Sequence, residues 1–306
     1  MKQIAVLGAG TMGIGIVRLF AEHGYEVCLY EPHMARTVLE EKLRSFEDNR
    51  MNDSGRPDDS RFSVRIYEDI SKAIANADLI VEAVPEQLEI KREVYRQLAQ
   101  NIRDNAIVAS NTSTFALETL AENQPFSDRM IIMHFFNPAH LIPLVEIVGL
   151  PDTPSAIIDE TVNLMRSCGK TPVVLKRDIP GFIANRLQAA LLREAFYLLE
   201  NGIADAEQID TVVKEALGLR YAFKGPFEIA DLGGLDIWSK VTGHLFPELG
   251  VSRSAPESLL AKAAEGQLGA KSGAGFYRYD DADEVKDNFE QQLQDLVRLK
   301  RESSPL

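Results

Sequence analysis

The sequence predicts an α/β protein: a doubly wound, mostly parallel sheet followed by a smaller all-α domain. Three observations carry that expectation. Apolar runs of strand length, Ile4-Ala5-Val6-Leu7, Val27-Cys28-Leu29-Tyr30, Asp78-Leu79-Ile80-Val81-Glu82-Ala83-Val84-Pro85 and Ala106-Ile107-Val108-Ala109, alternate with helical patterns, and runs without a polar face suit strands buried in a parallel sheet. A glycine-rich turn joins the first run to the first helix. Beyond Pro180-Gly181 the strand-like runs stop and only helical patterns remain.

Met1 to Glu31 is the stretch on which the rest depends. The first strand leads into Gly8-Ala9-Gly10-Thr11-Met12-Gly13, an amphipathic segment runs to His23-Gly24, and the second strand stops at Glu31. Each part suits a dinucleotide. Gly8 permits the sharp turn, Gly10 lets a pyrophosphate approach the backbone, and Gly13 lets the helix pack closely on the first strand, while the helix start at Thr11 and Met12 offers unpaired N–H groups to phosphate oxygens. Glu31 is placed to accept hydrogen bonds from an adenine-ribose diol. A 2′-phosphate there would meet a like charge, so NAD is expected over NADP. Arg36 softens that preference without reversing it. This is a Rossmann-type unit; the alternative is an empty unit of the same shape whose glycines serve packing alone.

The remaining elements follow in order. Pro32 opens a helix to about Asn49, the polar, turn-rich stretch from Arg50 to Arg61 reads as a surface loop, and a short strand spans Phe62 to Tyr67. A helix is expected from Leu88 to Asn101, strands over Met130 to His134 and Pro143 to Val148, a helix over Ser155 to Cys168, and a strand at Val173-Val174-Leu175. The cluster Asp178, Pro180, Gly181 marks a boundary that divides the chain into 1–179 and 180–306. The second part reads as helices over Phe182 to Asn201, Ala206 to Leu217, Pro226 to Val241 and Pro256 to Ala264. A last helix, Asp281 to Arg301, places Val285, Phe289, Leu293, Leu296 and Val297 on one stripe, read as a docking face on its own subunit or a neighbour.

Composition narrows the class of partner. With 46 acidic and 33 basic residues among 306, the net charge of −13 disfavours nucleic acid and anionic membranes. A small-molecule substrate is expected, and an anionic one must find a local basic patch. Cys28 and Cys168 suggest no disulfide framework and suit a reducing cytoplasm. The N-terminal glycine spacing argues against a signal peptide. Pro138 and Pro143 argue against a membrane span in the long uncharged stretch around Met130 to Val145. No metal site is expected.

Chemistry must be sought outside the nucleotide turn. Ser110-Asn111-Thr112-Ser113-Thr114 follows the Ala106 to Ala109 strand, at the carboxyl edge where open parallel sheets bind ligands. Ser113 reads either as a site residue or as the N-cap of a helix over Phe115 to Ala121. His134 ends the next strand, and Glu146 lies among apolar neighbours in Leu144-Val145-Glu146-Ile147-Val148. A carboxylate so flanked needs a partner, because burying it unpaired is costly. The two make a base and its orienter: Glu146 fixes the tautomer of His134, which takes the proton of an alcohol as hydride leaves its carbon.

Taken together, Gly8 to Gly13 with Glu31, the Ser110 to Ser113 turn, His134-Phe135-Phe136-Asn137-Pro138, Leu144-Val145-Glu146, Asp178-Ile179-Pro180-Gly181-Phe182-Ile183-Ala184-Asn185-Arg186 and Lys271-Ser272-Gly273-Ala274-Gly275-Phe276-Tyr277 resemble the motifs of the L-3-hydroxyacyl-CoA dehydrogenase family, in the same order. The likeness runs from about Met1 to Tyr279. It implies an NAD-dependent oxidoreductase of fatty acid metabolism that acts on a short-chain L-3-hydroxyacyl-CoA such as 3-hydroxybutyryl-CoA. By position it implies that His134 is the general acid/base, Glu146 its partner, and Ser113 and Asn185 hydrogen-bond donors to the reacting oxygen. It also implies a homodimer joined through the helical domain. Read on its own, Asn185 is a plain polar residue in a first helical turn.

Two departures leave a second substrate class open. The region after the second strand is short and lysine-poor, with Lys42 and then none until Lys72, and contains Asp53, Asp58 and Asp59. Arg50, Arg56, Arg61 and Arg65 could substitute as phosphate ligands, or the stretch is a solvated loop. Leu219-Arg220-Tyr221-Ala222-Phe223-Lys224-Gly225-Pro226 resembles the branch that oxidises free 3-hydroxy acids such as gulonate, or carnitine, with Arg220 or Lys224 near a substrate carboxylate or merely on the surface. A third class, a cofactor-binding structural or regulatory protein, requires an incomplete acid/base set, whereas Ser113, His134, Glu146 and Asn185 are all present.

Overall fold

The computed structural model describes residues 1–44 and 63–303. The end of the expected helix at Asn49, the Arg50 to Arg61 loop with its arginines, and Phe62 lie outside the described residues. The chain separates into two compact units, Met1–Ile183 and Ala184–Leu306.

The first unit is built on an eight-stranded sheet. In chain order it comprises β1 (Gln3–Leu7), α1 (Thr11–Glu22), β2 (Glu26–Tyr30), α2 (36–44), β3 (Val64–Tyr67), α3 (Ile70–Ile74), β4 (Leu79–Glu82), α4 (Leu88–Asn101), β5 (Ile107–Ser110), α5 (Leu117–Ala121), β6 (Met130–Phe135), β7 (Leu144–Gly149), α6 (Ser155–Ser167) and β8 (Thr171–Val174). Spatially the strands run β3-β2-β1-β4-β5-β6-β7-β8. The order reverses between β1 and β4, and such a switch point opens a crevice at the carboxyl ends of the strands.

Alternation along the strands separates two core layers. Ile4, Val6, Leu79, Val81, Ile131, Met133, Val145 and Ile147 pack on one face with α1 and α6 residues such as Ile16, Phe20 and Met165. Ala5, Leu7, Ile80, Val108, Ile132 and Val148 face the other way, onto Ile74, Tyr95, Leu98 and Leu120. Both faces are covered, which is why the strands read as unbroken apolar runs. Each large aliphatic side chain so buried contributes about 1.5–3 kcal/mol.

One pair breaks the parallel rule. β6 and β7 are antiparallel, because the 136–143 connection is too short for the crossover of a dozen or more residues that parallel neighbours require. The helix expected to open at Pro32 starts at residue 36, and α3 was not foreseen.

The second unit comprises α7 (Ala184–Glu200), α8 (Ala206–Val212), α9 (Leu219–Tyr221), α10 (Pro226–Gly233), α11 (Leu235–Leu245), α12 (Glu257–Ala264) and α13 (Ala282–Ser303). A π-helical stretch, Val213–Gly218, joins α8 to α9. A capping box of Asp205 and Gln208 starts α8. The single segment expected over Pro226 to Val241 is divided at Gly234, whose φ of +87° ends α10. Besides helices, this unit carries isolated bridges between Gly269 and Ala274 and between Ala274 and Arg278. Among its described residues Phe196 is the one buried apolar side chain, while Phe227, Val251 and Leu232 are 87%, 81% and 78% exposed. Val285, Phe289 and Leu296 of the α13 stripe are exposed as well.

Candidate active site

The nucleotide turn has the shape its glycines anticipate. Gly8 adopts φ +101°, and a Cβ on it would meet Ala83 O at 2.7 Å. At Gly13 a Cβ would lie 2.0 Å from Gly8 O, so only glycine allows α1 to sit this close to the turn. Gly10 differs: a Cβ there meets nothing within 4 Å, which leaves open space over the helix start. α1 has no side-chain cap and no acid in its first turn. The first amides of a helix have no intrahelical partner and carry the positive end of its dipole, so an anionic pyrophosphate fits at Thr11, Met12 and Gly13. Glu31 closes the site, its Oε2 accepting the Ala9 amide and its Oε1 the His33 amide, each at 3.0 Å. The carboxylate is thereby fixed at the end of β2, and these residues fit NAD.

The antiparallel pairing of β6 with β7 sets His134 directly opposite Glu146. Cross-strand partners project on the same face of a sheet, and His134 Nδ1 lies 2.9 Å from Glu146 Oε2. Both side chains are buried. An ionised carboxylate only accepts, so across this contact Nδ1 is the donor, and Nε2 is the ring nitrogen on the other side. The second oxygen, Oε1, accepts the Ile183 amide at 2.8 Å. Phe136 and Phe182 pack on the imidazole, with ring centroids 4.5 and 5.1 Å away.

Ser113 lies in the loop after β5 and does not cap α5. That helix begins at Leu117 with Ala116 before it and no side-chain cap. A residue not foreseen in the sequence shapes the loop instead. Glu86 Oε1 accepts the Ser113 and Thr114 amides at 3.0 and 3.1 Å, together with the hydroxyls of Thr112 and Thr114. Burial pushes the Glu86 carboxyl up, but the Thr112 and Thr114 bonds and the Lys91 ammonium outweigh it and hold it at about 2. Asn111 Oδ1 accepts the Phe135 amide at 3.0 Å, tying the same loop to the end of β6.

Behind Glu86 lies a buried polar cluster, also not foreseen. Lys91 Nζ reaches both oxygens of Glu82 at 2.8 and 3.0 Å and Glu86 Oε2 at 3.1 Å. Glu82 accepts the Tyr95 and Ser110 hydroxyls as well, at 2.8 and 2.6 Å. The signal was present in the sequence: Glu82, like Glu146, is a carboxylate inside an apolar strand and needs partners.

In the helical unit, Asn185 is the second residue of α7. Lys224 pairs with Glu228 at 3.0 Å, and Arg220 Nε donates to Ala216 O at 3.0 Å. Among the described residues no group of three or more His, Cys, Asp or Glu could hold a metal ion, and no helix is long and apolar enough to cross a membrane.

Comparison with known proteins identifies the family. Residues 3–179 match the family model of the 3-hydroxyacyl-CoA dehydrogenase NAD binding domain, and residues 181–279 that of the 3-hydroxyacyl-CoA dehydrogenase C-terminal domain. The chain is 36% identical over 281 residues to 5-formyl-3-hydroxy-2-methylpyridine 4-carboxylate 5-dehydrogenase of Mesorhizobium japonicum, covering 91% of each chain. It is 34% identical over 292 residues to mitochondrial hydroxyacyl-coenzyme A dehydrogenase of Homo sapiens, again covering 91% of each. A crystal structure of an enzyme of the first kind, described as an NAD+-dependent dismutase, superposes with a TM-score of 0.89 at 34% identity over 98% of both chains. The chain therefore belongs to the 3-hydroxyacyl-CoA dehydrogenase family, NAD-dependent oxidoreductases that act on CH–OH groups.

Proposed function

We propose that this enzyme interconverts a short-chain L-3-hydroxyacyl-CoA and the corresponding 3-oxoacyl-CoA, with His134 as general acid/base. The 2.9 Å contact between His134 Nδ1 and Glu146 Oε2 carries this reading. It leaves Nε2 to take the hydroxyl proton in oxidation and to return it in reduction. Glu146 holds the ring and balances the imidazolium that forms. Bound NAD supplies the hydride acceptor. Ser113, on the loop Glu86 fixes, and Asn185, at the start of α7, are assigned as donors to the oxygen that becomes the carbonyl; loss of one such donor costs about a hundredfold or more in rate.

A second reading, a carboxylated substrate without CoA, draws support from the pyridine-carboxylate dehydrogenase, whose likeness extends over 98% of the chain. Initial rates of NADH oxidation with acetoacetyl-CoA and acetoacetate, and of NAD+ reduction with 5-formyl-3-hydroxy-2-methylpyridine 4-carboxylate, separate the two. Turnover of acetoacetyl-CoA far above the free acids supports the first reading, and the reverse order replaces it with the second.

We infer that the working form is a homodimer joined through the helical unit. A bundle whose described residues bury one apolar side chain, Phe196, has no core of its own, and exposed apolar surface of this extent marks an interaction face. A second copy supplies the missing cover. Light scattering after size exclusion should give twice the chain mass; a monomer at micromolar concentration would rule this out. A reducing, cytoplasmic setting accords with Cys28 and Cys168, both free and buried.

A further inference from the structure

The last residues of the first unit, Gly181-Phe182-Ile183, touch both members of the histidine–glutamate pair. Gly181 and Phe182 take φ +79° and +49°. For a bulky aromatic residue the left-handed region is an outlier that persists only when its surroundings enforce it. The Phe182 amide donates to Ile179 O at 2.9 Å and closes the turn. Asp178 fastens the start of the segment by accepting the amide of Leu117, the first residue of α5, at 2.6 Å.

The turn has two products. It lays the Phe182 ring, 1% exposed, 5.1 Å from the imidazole of His134. It also aims the next amide, Ile183 N–H, at Glu146 Oε1, 2.8 Å away, while Oε2 holds His134. A carboxylate gripped at one oxygen can still swing about its side-chain torsions. Gripped at both oxygens by donors from different elements, it is fixed, and the ring above fixes the imidazole in turn.

Packing alone does not account for this. Phe182 belongs to the core layer with Leu117 and Ile132, but a core phenylalanine can be buried from an ordinary backbone. The left-handed φ is what turns the chain so that the ring and the following amide serve neighbouring groups.

We propose that Phe182, together with the Ile183 amide, is the positioning element of the His134–Glu146 pair, so that proton transfer depends on the seating of the 181–183 turn. The proposal rests on His134 being the acid/base. Neither residue is assigned contact with the reacting atoms.

Two substitutions in the full-length enzyme test it. Phe182→Gly suits a φ of +49° and deletes the ring; Phe182→Leu keeps the apolar bulk without the flat face. Since a misplacement near 1 Å can cost about a hundredfold, kcat should fall about a hundredfold in the glycine variant and about three- to tenfold in the leucine variant. NADH affinity should stay within about twofold, and the KM for the carbonyl substrate should move far less than kcat. The imidazole Nδ1–H proton resonance should shift in both. A leucine variant with wild-type kcat and resonance overturns the proposal, whether or not the glycine variant folds; so does a folded glycine variant with wild-type kcat, or a loss confined to NADH affinity. If His134→Ala keeps its activity, the acid/base assignment itself fails. An inactive His134→Ala beside fully active Phe182 variants rejects the positioning role alone.

Discussion

Lys91, on α4, and Glu82, at the end of β4, form a fully buried ion pair in which Nζ contacts both carboxylate oxygens at 2.8 and 3.0 Å. The same ammonium reaches Glu86, whose other oxygen holds the Ser113 loop. The end of β4 and the loop after β5 are thus joined through one lysine.

Lys91→Ala strands the Glu82 carboxylate in the core. Removing one partner of a buried pair typically costs about 3–5 kcal/mol, so thermal or urea denaturation should show a loss of that order. A loss below about 1 kcal/mol would mean that Tyr95, Ser110 and the Val84 amide satisfy Glu82 unaided.

Glu86 gives a pH signature. Its folded-state carboxyl sits at about 2 against an ordinary 4.5. A depressed value means the folded state favours the ionised form, so its contribution to stability is complete above pH 4.5 and is lost as pH falls toward 2. Glu86→Gln should therefore destabilise the protein at pH 7 by about 1 kcal/mol, a figure reduced for a carboxylate that is partly exposed. The difference from wild type should shrink steadily below pH 4.5. A gap that stays constant down to pH 3 contradicts the assignment.

The glycines of the nucleotide turn separate folding from binding. Gly13→Ala drives a Cβ into Gly8 O and should lower the melting temperature. Gly10→Ala places its methyl in open space, so stability should hold, and if the pyrophosphate approaches through that space NADH affinity should drop. Glu31→Ala should also weaken NADH, measured by fluorescence titration. If Gly10→Ala binds NADH as wild type does, the pyrophosphate lies elsewhere.

Much of this architecture is legible in the chain because buried parallel strands leave no polar face. The Ile4 to Leu7, Leu79 to Val81 and Ile107 to Ala109 runs coincide with β1, β4 and β5 to within a residue or two. His134 and Glu146 were also legible, since a carboxylate between apolar neighbours demands a partner. The pairing of the two follows from that demand, while the antiparallel register that brings it about does not, although the short 136–143 connection already implies an antiparallel return. Ser113 illustrates a local signal that tertiary structure overrides. It has the residue type of an N-cap, yet Glu86 takes its amide, Thr112 Oγ1 takes the Phe115 amide at 3.0 Å, and α5 starts later. The role of Glu86 stayed hidden because its donors lie far along the chain, in Thr112, Ser113 and Thr114.

Side by side, kcat and NADH affinity of His134→Ala and Glu146→Gln test the central assignment most directly. The account predicts that His134→Ala loses turnover by about a thousandfold or more, and Glu146→Gln by a smaller factor, as expected of a general base and its orienter. NADH affinity should stay within about twofold in both. A His134→Ala enzyme that still reduces the carbonyl substrate at a rate near wild type would contradict the account.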